Sequence, residues 1–139
     1  MIIKNDVSLK PFNTFGISAT SKYFTRIEKI ADLQTLLKTS VYQQTPNFIL
    51  GGGSNVLFTQ DFEGLVLHNA LTGIEKVRET TEHIWIKAYS GEVWHDLVLY
   101  CVENNWGGIE NLSLIPGSGA SDLFGELVDG YGREFEGCC

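Results

Sequence analysis

Two stretches of this 139-residue chain put small residues where a phosphate could be held. The first is Leu50-Gly51-Gly52-Gly53-Ser54-Asn55-Val56-Leu57, where a run of glycines follows an apolar segment. Without Cβ atoms the backbone can bend back there and approach a ligand closely. Successive N–H groups in such a bend form a concave nest for phosphate oxygens, and Ser54 and Asn55 add side-chain donors. The second stretch is Leu114-Ile115-Pro116-Gly117-Ser118-Gly119-Ala120-Ser121, again small residues after an apolar segment. Two such loops in one small domain can converge on one extended ligand such as a dinucleotide, or they can be unrelated turns. By spacing alone, a ligand-free turn between two strands fits the first loop equally well.

Familiar phosphate motifs fail on content. A Walker loop needs Lys followed by Ser or Thr after the glycines, where this chain has Ser54-Asn55. A Rossmann turn needs a third spaced glycine and a following helix, whereas Val56 to Phe58 reads as strand. His95 stands next to Asp96, but adjacent helical residues point in different directions, so a helix-flank role is favoured over catalysis. Glu110 and Asn111 read as loop residues, and Trp85, Trp94 and Trp106 as core or interface groups. No nucleophile–base pair emerges, and no catalytic residue is assigned. His68, His83 and His95 lack ligand spacing, so no metal site is expected.

These residues need elements to position them. Lys22 to Glu28 reads as a strand, Ile30 to Ser40 as a helix with Ile30, Leu33, Leu36 and Leu37 at helical spacing, and Asn47 to Leu50 as a short strand. Strands are expected at Val56 to Phe58 and Leu65 to Leu67, a hairpin over Gly73–Arg78 and His83–Ala88, and a second helix over Val93–Asn104. Helices and strands alternate early and strands cluster later, which predicts an α+β fold. The formal charge of −7 argues against general affinity for nucleic acid or an anionic membrane. Cys101, Cys138 and Cys139 form no spaced framework and read as reduced thiols. There is no signal-peptide core and no apolar run of about 20 residues. The expected setting is cytoplasmic.

Four segments in order resemble the UDP-N-acetylenolpyruvoylglucosamine reductase family. They are Leu9–Ile17, Ile49–Leu57, Gly91–His95 and Gly108–Gly117, and the likeness covers about Ser8 to Gly117. The resemblance implies a two-lobed FAD-binding domain of the vanillyl-alcohol-oxidase type, with a first lobe over about 1–70 and an incomplete second lobe over 71–117. It implies that Leu50 to Leu57, with Gly51–Asn55 at the pyrophosphate, and Ile115, Pro116 and Gly117 line FAD, while Asn13–Gly16 braces the first lobe. It also implies NADPH as reductant and a UDP-sugar enolpyruvyl ether as substrate, in cell-wall synthesis. After Gly117 the family continues to an Asn-x-Gly-Ala-Tyr-Gly pattern that Asp122–Val128 does not fit, so 118–139 reads as a divergent tail, as from a frameshift or gene fragment. The family's substrate-site tyrosine and arginine, proton-donating serine and late glutamate find no counterpart in this sequence. A UDP-sugar would therefore bind only if a further domain were supplied. The alternatives are a non-catalytic flavin or nucleotide module and another flavoprotein of the same superfamily.

Overall fold

The computed structural model describes residues 1–118. The expectations for the 119–139 tail, for Cys138 and Cys139, and for the last part of the second small-residue loop lie outside the described residues. The elements run β1 (Lys4–Ser8), a 3-10 turn (Lys10–Phe12), β2 (Thr20–Ile27), α1 (Ile30–Leu36), α2 (Ser40–Gln44) and β3 (Asn47–Leu50). They continue with β4 (Phe62–Asn69), β5 (Ile74–Glu79), β6 (Ile84–Ala88), α3 (Trp94–Glu103) and a 3-10 turn (Glu110–Leu112). The result is α+β, as the sequence predicts.

β1 to β4 form one sheet in the order β1-β2-β4-β3, and β5 and β6 form a separate antiparallel hairpin. β2 and β3 both run parallel to β4, which they flank, while β1 is antiparallel to β2. A strand buried on both faces needs an unbroken apolar run, and Leu65-Val66-Leu67 supplies it, all buried. Val66 joins Leu9, Phe24 and Leu50 on one face. Leu65 and Leu67 join Ile27 and Leu36 on the other, where Leu33 of α1 and Val41 and Tyr42 of α2 also pack.

Two expectations need correction. The helix predicted over Ile30–Ser40 stops at Leu36 and a second starts at Ser40. The Thr39 hydroxyl donates to the Leu36 carbonyl and accepts from the Tyr42 amide, so one residue ends α1 and caps α2. The strand predicted over Val56–Phe58 is absent. Val56 and Phe58 lie instead across the sheet and pack on the Leu9–Phe24 core. The edges of β4 are taken by β2 and β3, and the apolar side chains of this segment are used for packing on the sheet's face rather than for a strand of their own.

The reason it crosses the face is the parallel pairing. Leu50 lies beside His68 at one end of β4, so residues 51–61 must carry the chain back to Phe62 at the other. The glycine loop is the first part of that return. On the hairpin side, α3 buries Trp94, Val98 and Cys101, and Trp106 sits edge-on to Tyr100 with the Lys76 ammonium over its ring at 5.6 Å. Trp85, expected as a core or interface group, is partly exposed beneath Arg78. Among the described residues no helix is long and apolar enough to cross a membrane.

Candidate functional site

Because β2, β3 and β4 run the same way, their carboxyl ends meet at one edge, where Arg26, His68 and Leu50 stand side by side in register. Ligands of parallel sheets gather at such ends. A cavity of about 410 Å³ opens there. Gly51, Gly52 and Ser54 form one part of its wall, Gly117 and Ser118 another, and Arg26, His68 and Asn69 the strand-end floor. Thr14, Ala70, Thr72, Gly91 and Val93 complete it. The two small-residue loops thus meet: a Cβ built on Gly52 would lie 3.8 Å from the Gly117 Cα.

The first loop is held from below. Gly53 has φ +70°, and a side chain there would overlap the Phe12 carbonyl oxygen, so only glycine fits. The Thr14 amide donates to the Gly53 carbonyl at 3.0 Å. Thr14 is in turn fixed by buried Asn13, whose Nδ2 donates to the Leu9 and Ile17 carbonyls (2.8 and 3.0 Å) and whose Oδ1 accepts from the Ile17 amide at 2.9 Å. Among the described residues, the five successive amides of Gly51 to Asn55 donate to no protein acceptor. Of these residues Gly51, Gly52 and Ser54 line the cavity, and successive backbone N–H groups can serve as donors to an anion.

The second loop is clipped to the start of α3. The Trp94 amide donates to the Gly117 carbonyl at 3.1 Å, the Trp94 indole Nε1 donates to the Leu112 carbonyl at 2.7 Å, and His95 Nδ1 accepts from the Leu114 amide at 3.3 Å. Leu114 is held at φ +64°, a left-handed conformation that costs a non-glycine residue about 1–2 kcal/mol. Gly117, at φ +124°, has a backbone that L side chains rarely adopt. The helix-flank role read for His95 holds, and its neighbour Asp96 takes no part in the clip.

Electrostatically the floor is mixed. His68 packs against the Phe12–Phe24 pair, with its Nδ1 buried and lacking a partner among the described residues. Burial first, and then the Arg26 charge, hold its pKa below the ordinary 6.5, so it is neutral at pH 7. Arg26 is paired through Nε with Glu28 at 2.9 Å, with both side chains more than half exposed.

Of the residues singled out from the sequence, Gly51, Gly52, Ser54 and Gly117 line the cavity. Leu50 is fully buried beneath it, Gly53 forms the strained bend behind it, and Asn55, Val56, Leu57, Ile115 and Pro116 lie off its wall. Arg26, His68, Asn69 and Thr72 were not read from the sequence. The signal for the first three was the carboxyl ends of two parallel strands, visible only once the pairing is known. Among the described residues no group of three or more His, Cys, Asp or Glu could hold a metal. Cys101 is unpaired and buried, and burial pushes its thiol pKa up.

Residues 21–136 match the FAD binding domain family, and the chain belongs to it. The chain is 44% identical over 136 residues to the UDP-N-acetylenolpyruvoylglucosamine reductase of Amoebophilus asiaticus, a match covering 97% of this chain and 40% of that protein. It is 42% identical over 137 residues to the reductase of the same name from Flavobacterium johnsoniae, covering 98% and 40%. The crystal structure of UDP-N-acetylenolpyruvylglucosamine reductase from Thermus caldophilus superposes with a TM-score of 0.61 at 21% identity, over 85% of this chain and 40% of that one, a likeness of fold. The chain therefore spans about 40% of the length of the curated relatives it matches.

The residues present fit FAD at its diphosphate. The amides of Gly51, Gly52 and Ser54, which line the cavity and have no acceptor among the described residues, would supply donors, and the glycine walls at 52 and 117 leave room. The cavity volume of about 410 Å³ lies within the roughly 300–1,000 Å³ of small-molecule sites.

Proposed function

We propose that this chain is the FAD-holding portion of a UDP-N-acetylenolpyruvoylglucosamine reductase. The observation that carries the reading is the meeting of two loops, Gly51–Asn55 with unpaired amides and the clipped turn ending at Gly117, in one cavity at the strand ends. Gly51, Gly52, Ser54 and Gly117 face the cofactor, while Leu50 and Val56 anchor the first loop in the core. Asn55, Leu57, Ile115 and Pro116 set the path of the two loops. In domain terms, about 1–70 is one lobe and 71–117 begins the second.

The chemistry that FAD would supply there is hydride transfer, from NADPH onward to an enolpyruvyl double bond on a UDP-sugar. The chain's own contribution is to bind, orient and partly shield the cofactor. No described residue is assigned a catalytic role, and the UDP-sugar is held by a further domain. A setting in the cytoplasm follows from the reaction's substrates. The test is the visible spectrum of the purified chain after gel filtration with added FAD. A flavin spectrum that travels with the protein supports the reading, and protein that elutes colourless at saturating FAD refutes it.

A further inference from the structure

Resting on the reading of the cavity as an FAD site, we infer that Arg26 is the residue that counters the negative charge of the cofactor's diphosphate. Amide groups supply partial charges, and a diphosphate carries two full ones at neutral pH. Among the described residues that line the cavity, Arg26 is the one with a permanent positive charge. His68, beside it in register, is desolvated and neutral.

Placement favours the contact. Arg26, His68 and Leu50 form a row across three strands, and the glycine loop starts one residue past Leu50. With strands about 4.8 Å apart, Arg26 stands about 10 Å from the start of the loop. A long guanidinium side chain and a diphosphate together span that gap. The present partner of Arg26, Glu28, is an exposed carboxylate at 2.9 Å. Pairs this exposed are worth little and exchange readily for a better acceptor, and a guanidinium matches phosphate oxygens two at a time.

The experiment is a fluorescence titration of FAD into the full chain, as wild type, Arg26→Gln and Arg26→Lys, at low and high salt. Circular dichroism checks that each variant is folded. The expected result is that Arg26→Gln weakens FAD by about tenfold to a hundredfold, the loss of one charge-assisted contact. Its salt dependence becomes shallower than that of the wild type, and Arg26→Lys lies between the two. FAD binding by Arg26→Gln within twofold of wild type overturns the assignment. So does weaker binding with an unchanged salt dependence, since the loss is then steric. If the wild type itself binds no FAD, the reading of the site falls first and this inference with it.

Discussion

Gly53 and Asn13 work as a pair. The Asn13 side chain satisfies the polypeptide on both sides of the turn, which sets the Phe12 carbonyl where a side chain at position 53 would have to go. Gly53→Ala must both adopt a left-handed φ and push back the Phe12 backbone. The first alone costs about 1–2 kcal/mol, and the second adds to it, so a clear fall in Tm and loss of FAD are expected. A thermal scan checks this, and an unshifted Tm would mean the bend is not needed. His68 makes a different prediction. Its pKa is depressed by burial and then by Arg26, so the unfolded chain binds more protons than the folded one below the ordinary 6.5. Stability is therefore full above that pH and is lost as pH falls through and below it. His68→Leu removes the titration and the unpartnered buried Nδ1 together. Its Tm should drop less than that of the wild type between pH 8 and pH 5, and an equal drop would exclude His68 as the source.

At the scale of elements, the start of α3 acts as a clip. Two adjacent residues make three hydrogen bonds that hold Leu112 to Gly117, including a leucine in a left-handed conformation. His95→Ala deletes the acceptor for the Leu114 amide and should weaken FAD by roughly five- to tenfold, a typical net worth of one hydrogen bond. His95→Asn keeps an acceptor near the Nδ1 position and should restore most of the affinity. Flavin titrations of the two variants decide it, and equal losses would mean the imidazole acts by packing. The same scale explains what the sequence can and cannot tell. The glycine run was legible because its conformational demand is local, and helix α3 because its apolar side is regular. The false strand at Val56–Phe58 came from the same apolar spacing that lets those residues pack downward. That they pack on the Leu9–Phe24 core instead depends on which face of the sheet the returning chain crosses, which local spacing does not show.

For the molecule as a whole, the site exists because a parallel sheet gathers three strand ends, and the loop that returns the chain across the sheet starts at that edge. Arg26 and His68 meet across 42 residues of sequence (68 minus 26), so no local pattern marks them as neighbours. The meeting of Gly52 with Gly117 was open in the sequence as one of two possibilities, and the fold places them side by side. On the proposed reading the cavity is a flavin cradle whose walls come from the loop after β3 and the turn ending at Gly117. If FAD binds the folded state alone, it must also stabilise it, by about 2.7 kcal/mol at a hundred times Kd. Thermal scans with and without FAD should show Tm rising with its concentration.

The measurement that tests the cradle most directly is FAD binding by Gly52→Leu, with its Tm recorded alongside. Among the described residues a Cβ at position 52 meets neighbours no closer than 3.8 Å, so the side chain has room there to fill the gap between the two loops. The account predicts an unchanged Tm without cofactor, flavin retained by the wild type and flavin lost by the variant. A Gly52→Leu chain that binds FAD as well as the wild type would place the cofactor elsewhere and contradict the account.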